Sequence, residues 1–391
     1  MKLKTASIAA LLAAALASPA ALAQQTIKIG NTNPYSGPAS AYGSIGKAIG
    51  AYWKMVDDHG GINGHKVEWI SYDDGYSPPK TVEMVRKLVE QDQVLLLFQT
   101  LGTPTNTAIH KYINAKKVPH LFLATGATKW NDPKDYHWTM GWQPNYQTEG
   151  RIYAEDILKN NPKAKIGILY QNDDYGKDYV KGMRDGLGSH VNMIVKEVSY
   201  ETSDPSVDSQ IVQLQASGAD TFFNVTTPKF AAHAIRKAYD IGWKPRHYLN
   251  NVSSSIASVL KPAGLEKSVG LISTLYLKDP NDPQWKDDPA VKEWKAFVDK
   301  YLPGANLPEA FTSYGYAVSQ TLQQVLKQCG NDLSRANIMK QAANLKNFRP
   351  GLLLPGIRIN TSPTDYAPIE SEQLVRFDGQ KWERFGPMLG K

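Results

Sequence analysis

The chain has 391 residues, 44 Lys and Arg against 37 Asp and Glu for a formal charge of +7, and a single cysteine, Cys329. Its basic residues are interspersed among the acids with no run of five or six, which argues against nucleic-acid binding. One thiol cannot form an internal disulfide, and a chain of this length is too long for one compact core and natural for two domains.

In chain order, Lys2 and Lys4 precede an Ala/Leu/Ile run over 6–17, and Ala21-Leu22-Ala23 has the small-x-small form of a signal peptidase site. The expectation is a cleaved signal peptide over 1–23, cut after Ala23, and a periplasmic product; a retained membrane anchor is the competing reading. The apolar run is short for a transmembrane span.

After it, 26–30 reads as a strand, and Ile45, Ala48, Ile49, Tyr52 and Val56 form the stripe of an amphipathic helix. Asn63-Gly64 marks a tight turn before a strand over 66–72. A helix over 79–91, a strand over 94–98, a helix over 104–116 with Thr103 as N-cap, and a strand over 120–124 follow. The same alternation resumes beyond 145. Strands are expected at 165–170, 191–200, 221–225, 246–249 and 269–276, with helices at 147–159, 175–187, 206–217, 229–241 and 254–261. Residues 280–345 return to helices, and the tail over 352–385 supplies short strands with a turn at Asp378-Gly379. Strands separated by crossover helices specify an α/β fold, and their number calls for two doubly wound parallel-sheet lobes. Cys329 lies in an apolar helical stretch and reads as a small core residue.

Enzyme signatures fail one by one. GSIGKAIG (43–50) lacks the first glycine of a phosphate loop and has Ala48 where Ser or Thr is needed. No G-x-G-x-x-G follows the first strand, and no G-x-S-x-G exists. The eight histidines form no metal-ligand pair, so neither metal nor cofactor is expected. Asp73-Asp74 and Asp173-Asp174 read as turn and capping acids.

Doubly wound sheets bind ligands beyond the carboxyl ends of their strands. Two such ends carry similar sequence, Gln99-Thr100-Leu101-Gly102-Thr103-Pro104 and Ala124-Thr125-Gly126-Ala127. Small residues let a ligand approach free backbone N–H groups, threonine adds a hydroxyl, and the following helix start favours an anion. A carboxylate can be held this way without an arginine.

Several segments carry a family resemblance: YSGPASAYG (35–43), DDHGGINGHKVE (57–68), YDDGYSPPKTVE (72–83), the two strand ends, QNDDYGKDYVKGMRDGL (171–187) and IRKAYDIGW (235–243). They resemble the Leu/Ile/Val-binding protein family of type I periplasmic solute-binding proteins, which serve ATP-driven (ABC) uptake. The resemblance implies no enzyme but a monomeric binding protein that closes on a small molecule and delivers it to a membrane permease. It also implies two lobes joined by three crossovers, the first lobe from 24–143 and 275–357, the second from 144–274 and 358–391. Its ligand contacts map to Tyr42, Gly102, Thr103, Ala124, Thr125 and Gly126 on the first lobe, and to Tyr175, Thr226, Thr227 and Asn251 on the second.

In amino-acid-binding members a second-lobe glutamate takes the ligand's ammonium; here Asn251 stands at that position. Burying an ammonium without a carboxylate is costly. The expected ligand is therefore an aromatic or other non-amino monocarboxylate. The alternatives are an amino acid, with Asp173 or Asp174 as the acid, an amide or urea, or more distantly an exported α/β enzyme. Tyr35, Tyr42, Tyr76, Trp130, Trp142, Tyr146 and Tyr175 are candidate cleft aromatics.

Overall fold

The computed structural model describes residues 26–305 and 309–390. The expected signal peptide lies outside these residues. No helix among the described residues is long and apolar enough to cross a membrane.

Two sheets organise the chain. The first has five parallel strands in the order β2 (Val67–Asp73), β1 (Ile27–Asn33), β3 (Leu96–Phe98), β4 (His120–Leu121) and β5 (Thr139–Met140). The second has seven, in the order β12 (Trp382–Leu389), β11 (Glu372–Phe377), β10 (Ile272–Leu275), β9 (Arg246–Leu249), β8 (Thr221–Val225), β6 (Ile166–Gln171) and β7 (Ile194–Tyr200). The pairings from β10 to β7 are parallel, whereas β11 and β12 form an antiparallel edge hairpin. Its turn is held by the Asp378 N–H to Lys381 O bond, where the sequence places Asp378-Gly379.

Helices cover both sheets: α1 (Gly43–Asp58), α2 (Pro78–Arg86) and α3 (Thr103–Lys116) around the first, then α4 (Tyr146–Asn160), α5 (Asp174–Leu187), α6 (Asp208–Ala216), α7 (Pro228–Asp240) and the short α8 (Lys261–Ala263) around the second. After β10 the chain returns to the first lobe for α9 (Pro289–Tyr301), α10 (Ala310–Gln328) and α11 (Arg335–Ala342). The α1 stripe behaves as its periodicity demands: Ile45, Ala48, Ile49, Tyr52 and Val56 are all buried. Ile45, Ile49, Tyr52 and Val56 join α9 and α10 in one core that also holds Cys329.

Three crossings join the lobes. The first follows β5 and the second follows β10. The third comes later than the 357/358 boundary expected from sequence. Ile357, Ile359, Tyr366 and Ile369 belong to the first-lobe core, and the Tyr366 N–H donates to Asn131. A second local correction concerns α3, whose N-cap is Gly102 rather than Thr103. Three of the four acids in the two pairs form turns or caps, as expected, and Asp174 does not. Asp73 accepts the Tyr35, Ser36 and Gly75 amides, Asp74 accepts the Tyr76 amide, and Asp173 caps α5.

Candidate ligand-binding site

At the end of β3 the chain makes a turn that few residues tolerate. Gln99 has φ 56° and Gly102 φ 101°, both in the left-handed region. A Cβ on Gly102 would stand 2.6 Å from the Tyr76 ring and 2.7 Å from Thr105 Oγ1, so close packing also demands glycine there. Beyond the strands proper, a bridge between Leu101 and Ala124 continues the pairing and brings the two strand ends side by side.

That pairing engages some of the amides expected to be free. Gly102 N–H donates to Ala124 O at 3.2 Å, Ala124 N–H to Thr100 O at 3.1 Å, and Thr125 N–H to Leu123 O at 2.9 Å. At this edge the Thr103 N–H makes no hydrogen bond to the described residues, whereas the Gly126 N–H is taken by the Tyr146 hydroxyl. Thr103 is the first residue of a 14-residue helix, where an unpaired N–H and the positive end of the dipole coincide.

The threonine hydroxyls are wired together behind this edge. Thr125 Oγ1 accepts from Trp130 Nε1 at 3.1 Å and from Ala127 N–H at 3.3 Å, and lies 2.6 Å from Thr103 Oγ1. With both lone pairs engaged, Thr125 must direct its proton to Thr103 Oγ1. That leaves the Thr103 proton to point forward, beside the Tyr146 hydroxyl at the cavity wall.

Forward of Thr103 lies a cavity between the lobes of about 1000 Å³, counting its solvent-open part. Tyr42, Gly102, Thr103, Ala124, Tyr175, Thr227 and Asn251 line it together, as do the aromatics Tyr76 and Tyr146. Tyr276 and Tyr314, unremarked in the sequence, bring the tyrosines to six. Burial raises all six phenols, Tyr146 to about 12, so they are neutral hydroxyls at physiological pH.

The remaining expected positions stand behind the wall. Thr125 is buried, and Gly126 accepts the Tyr146 N–H and leaves room for the Tyr146 ring, which a Cβ would meet at 2.7 Å. Thr226 is buried, bonded to Asn224 Oδ1 and to Asn250. Trp130 packs edge-on against His110 and serves the cavity only through Thr125. Trp142 is fully buried, its Nε1 on Thr321. Tyr35 lies away from the cavity, with its hydroxyl 2.6 Å from Ser71 Oγ.

On the second lobe, Asn251 is fixed by two hydrogen bonds. Its N–H donates to Glu149 Oε1 at 2.6 Å, and its Nδ2 donates to Thr274 O. Oδ1 is thereby the end turned free, an acceptor. Glu149 is an acid the sequence reading missed: buried, it accepts the Tyr153 hydroxyl at 2.7 Å and that of Tyr179 at 2.5 Å. Burial lifts its carboxyl to about 7, and burial together with Glu149 lifts Glu372 well above the usual range. Glu372 in turn accepts from Thr274 Oγ1 at 2.9 Å. Both acids lie beneath Asn251 rather than among the lining residues. Asp173 is held by Gln171 Nε2 and its capping bonds, and Asp174 by Lys129 Nζ at 2.6 Å; neither lines the cavity.

Contacts across the rim hold the lobes together. Tyr42 OH donates to Val252 O at 3.0 Å, and Thr107 joins Lys129 on Asp174. On another side, Ser255 and Ser258 donate to Glu309. Among the described residues no cluster of His, Cys, Asp and Glu could hold a metal.

A family model described as periplasmic binding protein matches residues 26–381. A Leu/Ile/Val-binding protein homolog 1 from Brucella abortus is 27% identical over 315 residues, covering 78% of this chain and 79% of that protein. Among solved structures, a branched-chain amino acid ABC transporter protein from Thermus thermophilus with bound valine superposes with a TM-score of 0.85 at 15% identity, covering 94% of this chain and 97% of that one. A fatty acid ABC transporter substrate-binding protein from Thermomonospora curvata does so at 0.77 and 20% identity, covering 94% and 93%.

Proposed function

Because the chain belongs to the periplasmic binding protein family, we propose that it captures a small carboxylate between its lobes and delivers it to an ABC-type membrane permease. The reading places the protein in the periplasm, acting as a carrier without cofactor or chemical turnover. One observation carries the choice of ligand. The first lobe offers the amide and the hydroxyl of Thr103, whereas the second-lobe acids stand behind Asn251 instead of facing the cavity. A carboxylate would accept the Thr103 N–H and the Thr103 hydroxyl. Two charge-assisted bonds of about 1.5–3 kcal/mol each, together with burial of an apolar body, are consistent with roughly micromolar binding near −8 kcal/mol. An α-ammonium would find no second-lobe carboxylate in return. The six tyrosines suit an aromatic or extended apolar body.

The second reading is an amino acid, favoured by the acceptor Oδ1 of Asn251 and by the names of the relatives. Thermal-shift screening of benzoates, phenylpropanoates, aliphatic acids and amino acids, with small-angle scattering on the hits, separates the two. The first reading predicts stabilisation and compaction by plain carboxylates. Stabilisation by leucine or valine alone would replace it with the second.

A further inference from the structure

The cavity does not stop at the carboxylate edge. Its wall continues along the second crossing, through Leu275, Leu277 and Asp279. Each of these is partly exposed, whereas the intervening Tyr276 and Lys278, which line the cavity as well, are buried. That alternation is the period of an extended chain, which puts the three on one side. Four residues of extended chain span at most about 13 Å, so this wall outruns the side chain of valine or leucine. Ile256 from the second lobe and Phe311 from the start of α10 line the same cavity.

Asp279 is the one acid among the lining residues. Its Oδ1 accepts from Asn281 N–H at 2.9 Å and from Asn281 Nδ2 at 3.3 Å. Its Oδ2 accepts no hydrogen bond from the described residues. Nor does a base neutralise it. The neighbouring Lys278 turns its Nζ to Asp288 at 2.7 Å and Gly351 O at 3.0 Å, and Lys381 goes to Asp282 at 3.6 Å. Burial pushes the Asp279 carboxyl above its ordinary range, the expected response of an acid short of partners. An unfilled acceptor at the end of a largely apolar wall is a recognition element for a donor.

We propose that Asp279 is a distal specificity residue and that the ligand is an elongated carboxylate bearing a hydrogen-bond donor, a hydroxyl or N–H, at its opposite end. This rests on the carboxylate reading of the cavity and deepens it. The Thr103 edge takes the anion, Leu275 and Leu277 accompany the apolar body, and Asp279 Oδ2 accepts the terminal donor.

The test is titration calorimetry with a matched pair, 3-phenylpropanoate and 3-(4-hydroxyphenyl)propanoate, and a second pair, hexanoate and 6-hydroxyhexanoate. In the natural protein the donor-bearing member of at least one pair binds about tenfold tighter or more. In Asp279→Leu that ratio falls to near unity, and in Asp279→Asn, which retains an acceptor and the shape, it falls part of the way. Circular dichroism confirms that both variants are folded. A ratio near unity in the natural protein, or one that survives in Asp279→Leu, overturns the inference while leaving the carboxylate reading standing. If no member of either pair binds, the carboxylate reading fails and this inference with it.

Discussion

The two lobes meet at one cavity and present opposite chemistry to it. The first contributes donors, arranged on a backbone held in the left-handed region at Gln99 and Gly102 and on a hydroxyl oriented by Thr125 and Trp130. The second contributes Asn251 Oδ1, an acceptor whose position depends on Glu149 and on the Thr274 carbonyl. The Thr103 donors belong to the first lobe alone. On the proposed reading, the first lobe takes the anion and the second completes the enclosure. The rim contacts, Asp174 with Lys129 and Glu309 with Ser255 and Ser258, serve that closure.

Gly102→Ala should break this asymmetry most severely. The added Cβ meets the Tyr76 ring and Thr105 while φ stays at 101°, so the donor edge must move. The expected outcome is a loss of binding of at least ~100-fold and destabilisation of about 1–3 kcal/mol, read by calorimetry and chemical denaturation. Thr103→Val comes next, with a loss of about 10–100-fold, because it removes the hydroxyl nearest the ligand. Thr125→Val, acting only through Thr103, should cost about tenfold and leave the unliganded melting temperature within a few degrees. Equal losses in both variants would contradict the relay, and unchanged affinity in Thr125→Val would remove Thr125 from it.

The smallest effect concerns the second lobe. A carboxyl whose folded pKa exceeds its unfolded value favours folding most at low pH. For Glu149 that contribution fades as pH rises from 4.5 through about 7. Glu149→Gln should therefore flatten the fall in melting temperature over that interval by a few degrees, measured by calorimetric scans across pH. An unaltered slope would show that Glu149 is ionised throughout.

Much of the first lobe was legible in the sequence because its signals are local. The α1 stripe, the Asn63-Gly64 turn and the two glycine-containing strand ends each determine their own backbone. The engagement of Gly102 and Ala124 amides was not legible, since it arises from one strand end pairing with the other. The expected aromatic wall was partly displaced for a similar reason. Trp130 and Trp142 satisfy their indoles on Thr125 and Thr321 inside the packing, while Tyr276 and Tyr314 reach the cavity from segments far along the chain. Glu149 carried no motif. In the first turn of α4 it reads as an ordinary helix-start acid, and only the fold puts it under Asn251. The late third crossing escaped notice because Ile359 and Tyr366 look like loop residues until the first-lobe core receives them.

The central claim is that the site grips a carboxylate and offers an ammonium no second-lobe acid. Calorimetric titration with 3-phenylpropanoate, its amide and phenylalanine tests it directly, since the three share one apolar body. The account predicts tightest binding for 3-phenylpropanoate, with the amide and the amino acid each weaker by about tenfold or more. Phenylalanine binding as tightly as 3-phenylpropanoate, or more tightly, would contradict it.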